Sequence, residues 1–263
     1  MNDTSPNVHT DEIVQRQVQL LERVVHACLA EASRFTVNPD SLAQEIAVAL
    51  HGTIVELAHA CGALVLSDDF SSIPIVMRSL LEASIDQANL LVDADYVMNM
   101  AAADHAKFLD LLQQSVPGTN PYLGGLADQH DISAEIREKE QRISELAANG
   151  RRNLSIFDRF KRANAEDQYR SVYALLCLDS HNNFSALAER HMDELPDGRH
   201  MLSFFKLPPV ATLRTRLDSV IATTLNSALS IHAAFKTGCT AFEPLHAEHA
   251  ALRAAVISAR ARS

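Results

Sequence analysis

Apolar residues recur every three or four positions along most of this chain, the spacing of a helix that buries one face. The first stripe follows a helix start at Thr10, Asp11 and Glu12. It consists of Val14, Val18, Leu21, Val25 and Leu29. Similar stripes predict helices over about 41–66, 72–91, 93–116, 133–150, 165–192, 210–236 and 244–258, with a loop over 195–209. The pattern therefore predicts eight or nine helices joined by short links.

Composition narrows the fold class further. The 263 residues include only 8 Gly and 9 Pro, whereas a β-sandwich or barrel needs a turn roughly every 8–12 residues. Hydrophobic residues make up 47% of the chain, which excludes a disordered protein, and 4 widely spaced Cys exclude a disulfide scaffold. We predict an all-α, single-domain helical bundle over residues 10–263, preceded by a disordered segment at 1–9.

The chain shows no targeting or membrane-spanning pattern. Its N-terminus lacks a basic stretch followed by an apolar one, and the most apolar window, 46–66, is interrupted by His51, Glu56 and His59. The Cys residues lie among apolar neighbours, as reduced core thiols do. A cytoplasmic location without membrane association is therefore expected.

Charge is divided unevenly along the chain. Residues 1–133 contain 5 Lys or Arg against 18 Asp or Glu, whereas residues 134–263 contain 18 against 15. A polyanion is therefore expected to approach the second half. A basic run in that half has Phe157 and Phe160 within it and consists of Arg151, Arg152, Arg159, Lys161 and Arg162. Such a run can contact RNA, but we favour the more ordinary interpretation, a solvated linker.

Three charged residues, Arg78, Glu82 and Asp86, are spaced four apart on a helix whose other positions are mostly apolar. Residues four apart are neighbours on a helix surface, so the three share one flank. The ordinary interpretation is an ion pair at an exposed edge. The functional interpretation is a guanidinium in a cleft, where it binds phosphate or carboxylate and Glu82 orients it.

A second polar group interrupts the helix predicted over 165–192. Its five consecutive polar residues run from 179 to 183, and His181 lies on a face of small residues that is expected to be packed. Arg170, almost three turns earlier, is expected to point the same way. His181 is then either a buried histidine in a structural network or a general acid and base. Because buried polar groups need partners, we predict that Arg78 or Glu82 lies within hydrogen-bonding distance of His181 or Tyr173.

Metal binding is a third interpretation of the polar residues. The Glu-x-x-His spacing of di-iron helical bundles occurs at Glu56 with His59 and at Glu243 with His246, and Glu22 and Glu82 are candidate further carboxylates. Two such pairs are close to the number that chance gives, and Pro244 places His246 in the first turn of its helix. We therefore expect no metal and no cofactor.

The order of these motifs resembles that of an uncharacterised family of bacterial all-helical proteins. The motifs are Arg78-x-x-x-Glu82 on an early helix and, on a later one, Tyr169, Tyr173, Ser180 and His181. Over about residues 40–235 the layout is similar to that of the HEPN helical-bundle nucleases and abortive-infection proteins. The resemblance implies a metal-independent ribonuclease in which Arg78, Glu82, Tyr173 and His181 are the family's polar positions. HEPN nucleases carry an Arg-x(4–6)-His pattern, whereas ten residues separate Arg170 from His181, and no other pair has the HEPN spacing.

The resulting hypothesis is a helical protein that cleaves RNA or binds phosphate in a bacterial defence or toxin-like system. His181 would act as acid and base, Arg78 would stabilise the charge on phosphorus, and Tyr173 and Asn182 would position the substrate. The alternative is a non-catalytic interaction or regulatory module, with a protein partner or a second copy of the chain. In that case the same residues form a structural network.

Overall fold

The computed structural model describes residues 11–116, 120–123, 125, 131–181 and 183–260. The first half of the chain forms α1 (Glu12–Glu31), a 3-10 turn (Ala32–Arg34), α2 (Leu42–Leu66), α3 (Ile73–Val92), α4 (Tyr96–Ser115) and α5 (Ile132–Ala148). The second half forms α6 (Ile156–Arg162), α7 (Glu166–Gln168), a π-helical segment (Tyr169–Tyr173), α8 (Ala174–Ser180), α9 (Phe184–His191), β1 (Met192–Glu194), β2 (His200–Leu202), α10 (Val210–Ala234) and α11 (Glu243–Arg260). The predicted all-α class is confirmed. The segment predicted to be disordered, 1–9, lies outside the described residues.

Several helices begin where the sequence predicts. The side chain of Asp11 accepts a hydrogen bond from the Val14 amide at 3.0 Å and caps α1. Ser41 caps α2 in the same way, and Pro74 lies in the first turn of α3, where its missing N–H is not needed. These local signals therefore set the starts of the three helices that carry most of the core.

The core lies where α2 packs along α3 and where α10 packs against α1, α2 and α3, with α11 against α1 and α10. Its fully buried side chains include Leu20, Ile54, Leu217, Ile221 and Phe242. The predicted stripe of α1 is buried at four of its five positions, whereas Leu29 is 62% exposed because it lies in the last turn, near the end of the helix. Contacts between helices distant in sequence thus fix α3 within the fold.

Helix α2 is long and apolar enough to cross a membrane by length and composition alone, which is weak evidence for a single helix. In this fold α2 packs against α1, α3 and α10. Its buried residues include His51, and Nδ1 of His51 is hydrogen-bonded to the Ser227 hydroxyl of α10 at 2.8 Å. Apolar residues of α2 therefore contribute to the protein core.

The single long helix predicted over 165–192 is wrong in detail. It contains a π-helical segment and is broken after Ser180, because Asn183 caps a new helix by accepting a hydrogen bond from the Ser185 amide at 3.0 Å. Within the described ranges, the helices are therefore more numerous than predicted. The predicted loop that follows contains β2, which pairs antiparallel with β1 so that Met192 faces Leu202.

The basic run at 151–162 is not a solvated linker throughout. Phe160 is fully buried and anchors α6 on α3. Three of the arginines pair with carboxylates of α3 and of the turn that follows it: Arg151 with Asp95 at 2.5 Å, Arg159 with Asp86 at 2.9 Å, and Arg162 with Asp93. These charges therefore neutralise acidic residues of the first half of the chain.

Candidate functional site

Arg78 of α3 is at the centre of a polar cluster between α3 and α8. Its Nη1 atom lies 2.7 Å from Nε2 of His181 and 3.4 Å from the Ser180 hydroxyl. Its Nε atom donates to Glu82 at 3.1 Å and to the Tyr173 hydroxyl at 3.3 Å. The predicted contact between the two polar groups is confirmed.

Tyr173 closes the inner side of this cluster. It is buried, and its hydroxyl donates a hydrogen bond to Oε1 of Glu82 at 2.7 Å while it accepts one from Arg78. The Arg78 guanidinium also lies over the Tyr173 ring, 5.6 Å from its centre. Tyr173 is the last residue of the π-helical segment, a distortion that is frequent at functional sites.

The outer side of the cluster is open to solvent. His181 is exposed, and the side chains of Arg78 and Glu82 are 28% and 29% exposed. A guanidinium can only donate hydrogen bonds, so Nε2 of His181 must be the acceptor and the proton of the neutral ring must lie on Nδ1. The cluster thus presents a cation beside an unprotonated imidazole nitrogen, and both can be reached from outside.

Electrostatic interactions within the cluster favour a neutral tyrosine and a charged arginine. Burial and the adjacent Glu82 carboxylate raise the pKa of Tyr173 far above its usual range. Burial alone would lower the pKa of Arg78, but Tyr173 and Glu82 outweigh it and the pKa of Arg78 is raised. Tyr173 therefore serves as a hydrogen-bonding group that holds Glu82 and Arg78 in place.

Other residues singled out from the sequence lie elsewhere. Arg170 does not join His181: its guanidinium lies over the Phe157 ring, 5.8 Å from the centre, because the π-helical segment and the end of α8 change the helical register. Asp179 pairs with Arg216 of α10 at 2.9 Å. Asn182, predicted to position substrate, lies outside the described residues.

Two residues named in the sequence analysis, Ser180 and Asp86, have contacts that were not predicted. Ser180 contributes its hydroxyl, and the helix end that places it beside Arg78 is signalled only by the capping residue Asn183. Asp86 belongs to a separate network, in which it accepts from Tyr96 at 2.5 Å and from Arg159 at 2.9 Å. The flank shared by Arg78, Glu82 and Asp86 is therefore divided between two polar networks.

The Glu-x-x-His pairs do not assemble a metal centre in the part of the chain that the structure describes. No group of three or more His, Cys, Asp and Glu side chains there is arranged to hold a metal ion. Glu82, a candidate carboxylate ligand, instead accepts hydrogen bonds from Arg78 and Tyr173.

Comparison with known proteins gives one match. A family model described as a family of unknown function, DUF5677, matches residues 44–200. The match runs from the first turn of α2 to beyond α9 and includes the four residues of the cluster, Arg78, Glu82, Tyr173 and His181. No curated protein and no solved structure matches this chain.

Proposed function

Because this chain belongs to DUF5677, a family of unknown function, we propose its activity from the site itself: metal-independent cleavage of RNA phosphodiester bonds. HEPN-like nucleases, which the motif order resembles, carry out chemistry of this kind. The observation that carries the proposal is the 2.7 Å contact between Arg78 Nη1 and His181 Nε2 at an exposed position. It pairs a phosphate-binding cation with a proton acceptor.

The proposed reaction uses one side chain for each task. Nε2 of His181 accepts the proton of a ribose 2′-hydroxyl, and the 2′-oxygen attacks the neighbouring phosphorus. The new bond from phosphorus to the 2′-oxygen forms as the bond to the 5′-oxygen breaks, and that oxygen takes a proton from solvent. Arg78 stabilises the negative charge that develops on the phosphoryl oxygens. The products are a 2′,3′-cyclic phosphate and a 5′-hydroxyl.

In this structure the Arg78 guanidinium donates to His181. An incoming phosphate oxygen would replace His181 as the acceptor of Arg78 Nη1 and free Nε2 for the 2′-hydroxyl. Glu82 and Tyr173 hold the other edge of the guanidinium through its Nε atom, so Arg78 keeps its position during this exchange. Pre-oriented donors of this kind need little reorganisation when charge develops.

A substrate comparison tests the proposal. The full chain is incubated in EDTA with three end-labelled single strands of one sequence: all RNA, DNA with a single ribonucleotide, and all DNA. We expect cleavage after each accessible ribonucleotide of the RNA and after the single ribonucleotide of the second strand, with cyclic phosphate ends. Cleavage of the all-DNA strand, or no cleavage of the two strands that contain ribose, would contradict the proposal.

A role in bacterial defence or as a toxin follows from the proposed activity. Expression of the wild-type chain in a bacterial host should slow growth, and His181→Ala should relieve that effect. The matched control is His200→Ala, since His200 is an exposed histidine of β2. Growth arrest by both variants alike would contradict the role.

A second candidate function, a non-catalytic module that pairs with a second copy of the chain, rests on a different observation. Large apolar side chains are exposed along α9 and the hairpin, among them Phe184 at 85%, Phe204 at 70% and Leu202 at 57%. In the described residues the outer edges of β1 and β2 are unpaired, so two identical hairpins can pair about a two-fold axis. Light scattering on wild type and Phe184→Ser would test it: a dimer lost in the variant is expected, and a monomeric wild type would contradict it.

A further inference from the structure

A cavity of about 870 Å³ lies between α3, α9 and the start of α10, apart from the Arg78 cluster. Its walls are largely apolar and include Phe70, Pro74, Ala186, Phe205, Leu207 and Val210. None of Arg78, Glu82, Tyr173 and His181 lines it. Its size is that of cavities that bind small organic molecules.

Arg190 of α9 is the cation at this cavity that lacks a counterion among the described residues. In the part of the chain that the structure describes, no carboxylate lies within 4.0 Å of its guanidinium, whose Nε donates to the Ala186 carbonyl at 3.2 Å. Its Nη2 atom is buried without an acceptor, which is costly for a charged donor. The fold therefore leaves a guanidinium beside the cavity with an unused donor.

The start of α10 adds a second attraction for an anion. Its first residues, Val210 and Ala211, line the cavity, and the preceding Pro209 provides no side-chain cap. The first N–H groups of a helix have no partner within the helix and carry partial positive charge. The remaining cations at the cavity are already neutralised, Arg216 by Asp179 at 2.9 Å and Lys206 by Asp193 at 2.6 Å.

We infer that this cavity binds a small organic monoanion, a carboxylate with an apolar body, whose head group pairs with Arg190 beside the start of α10. One unpaired guanidinium balances one negative charge and matches the two oxygens of a carboxylate. A dianionic phosphate would need a second free cation, and Glu189, which also lines the cavity, would repel a dianion more strongly than a monoanion. The apolar walls account for the body of the ligand. Arg190 itself lines the cavity, so its guanidinium is placed to meet the head group there.

Calorimetry on the full chain at pH 7 tests this with octanoate, its uncharged counterpart octan-1-ol, acetate and octyl phosphate. We expect octanoate to bind at least tenfold more tightly than octan-1-ol, which lacks the charged head group, and than acetate, which lacks the apolar body. Arg190→Gln should weaken octanoate at least tenfold and leave octan-1-ol unchanged. Arg199→Gln, which removes an equal charge from an exposed position outside the cavity, should leave both unchanged.

A cavity-filling variant provides an independent control. Ala211→Trp places a large ring in the cavity from an exposed helix position and should abolish octanoate binding. This variant tests the proposal independently of Arg190→Gln, which is needed if Arg190→Gln does not fold. The inference is overturned if octanoate does not bind, or binds no better than octan-1-ol. It is also overturned if octyl phosphate binds more tightly than octanoate, or if Ala211→Trp binds octanoate normally. Because these variants leave the Arg78 cluster intact, RNA cleavage is unaffected by the outcome.

Discussion

The Arg78 guanidinium on α3 lies against the imidazole of His181 at the end of α8, with 2.7 Å between Nη1 and Nε2. Behind this pair, Tyr173 is buried, and its hydroxyl is hydrogen-bonded to both Arg78 and Glu82. The cluster is therefore sealed on one side and open on the other. A sealed network would serve structure alone, whereas the open histidine is free to meet a ligand.

Replacing Tyr173 tests the inner side of the cluster. Tyr173→Phe removes the hydroxyl that Glu82 and Arg78 share and leaves both with one partner fewer in a half-buried place. The free energy of unfolding should fall by about 1–2 kcal/mol. Urea unfolding measures it, with Tyr169→Phe as the control, because Tyr169 stacks on Tyr173 but has no side-chain hydrogen bond among the described residues. Equal losses in the two variants would show that the hydrogen bonds of the Tyr173 hydroxyl add no stability, which would contradict the prediction.

Arg78→Lys keeps the positive charge but loses the planar fork that now reaches four side chains. A lysine can satisfy one or two of them and cannot hold a phosphate through two parallel bonds. RNA cleavage should fall by roughly 100-fold, the effect of losing one oriented donor at a developing oxyanion. Single-turnover cleavage measures the rate, with Arg199→Lys as the control. A rate within a few fold of wild type would remove Arg78 from the proposed mechanism.

Asp11 and Ser41 offer a matched pair of helix caps. Asp11 also accepts from Arg214 Nε at 3.0 Å, and its side chain is only 5% exposed, so Asp11→Ala leaves a half-buried guanidinium unpaired. The expected cost is about 2–3 kcal/mol, against about 1 kcal/mol for Ser41→Ala, which removes a cap alone. Thermal and urea unfolding measure both. Similar costs for the two variants would mean that the ion pair adds nothing.

The pH dependence of Asp11 has a defined sign. Burial alone would raise the pKa of Asp11, but hydrogen bonds from Arg214 and Val14 lower it below 3.8. The stabilisation is present above pH 3.8 and is lost as the pH falls through the lower pKa of the folded state.

His51 predicts a second pH dependence, at milder acidity. Burial, with a smaller effect from His232, lowers the pKa of His51 from 6.5 to about 4. Between these values the unfolded chain binds a proton that the folded chain does not, so stability falls as the pH is lowered, by about 3 kcal/mol at most. The free energy of unfolding, measured with urea between pH 7 and pH 4.5, should depend less steeply on pH for His51→Gln than for wild type. His26→Gln, at an exposed position, should keep the wild-type slope.

The parts of the site that follow local rules were predictable. Arg78 and Glu82 share a flank because they are four residues apart, and their contact with His181 follows from the need of polar groups for partners. The break after Ser180 was missed because the polar run at 179–183 was interpreted as lying within one helix. Asn183 was the available capping signal. No local pattern in the sequence indicates the π-helical segment that contains Arg170 and changes its direction relative to His181.

The cavity beside Arg190 depends on contacts distant in sequence. It forms where 205–209 returns against α9, and Phe205 adopts a φ of 54°, a left-handed conformation that is unusual for a bulky side chain. Periodicity and composition give no information on such a turn. The arginine was visible in the sequence, but its lack of a counterion became apparent only once every neighbouring carboxylate had been placed.

His181→Ala, measured for both stability and RNA cleavage, tests the central claim most directly. His181 is exposed, so its removal should leave the melting temperature unchanged or slightly higher, while cleavage in EDTA disappears. His200→Ala should retain both properties. A lower melting temperature for His181→Ala, with cleavage unchanged, would show that His181 is a structural residue and would contradict the account.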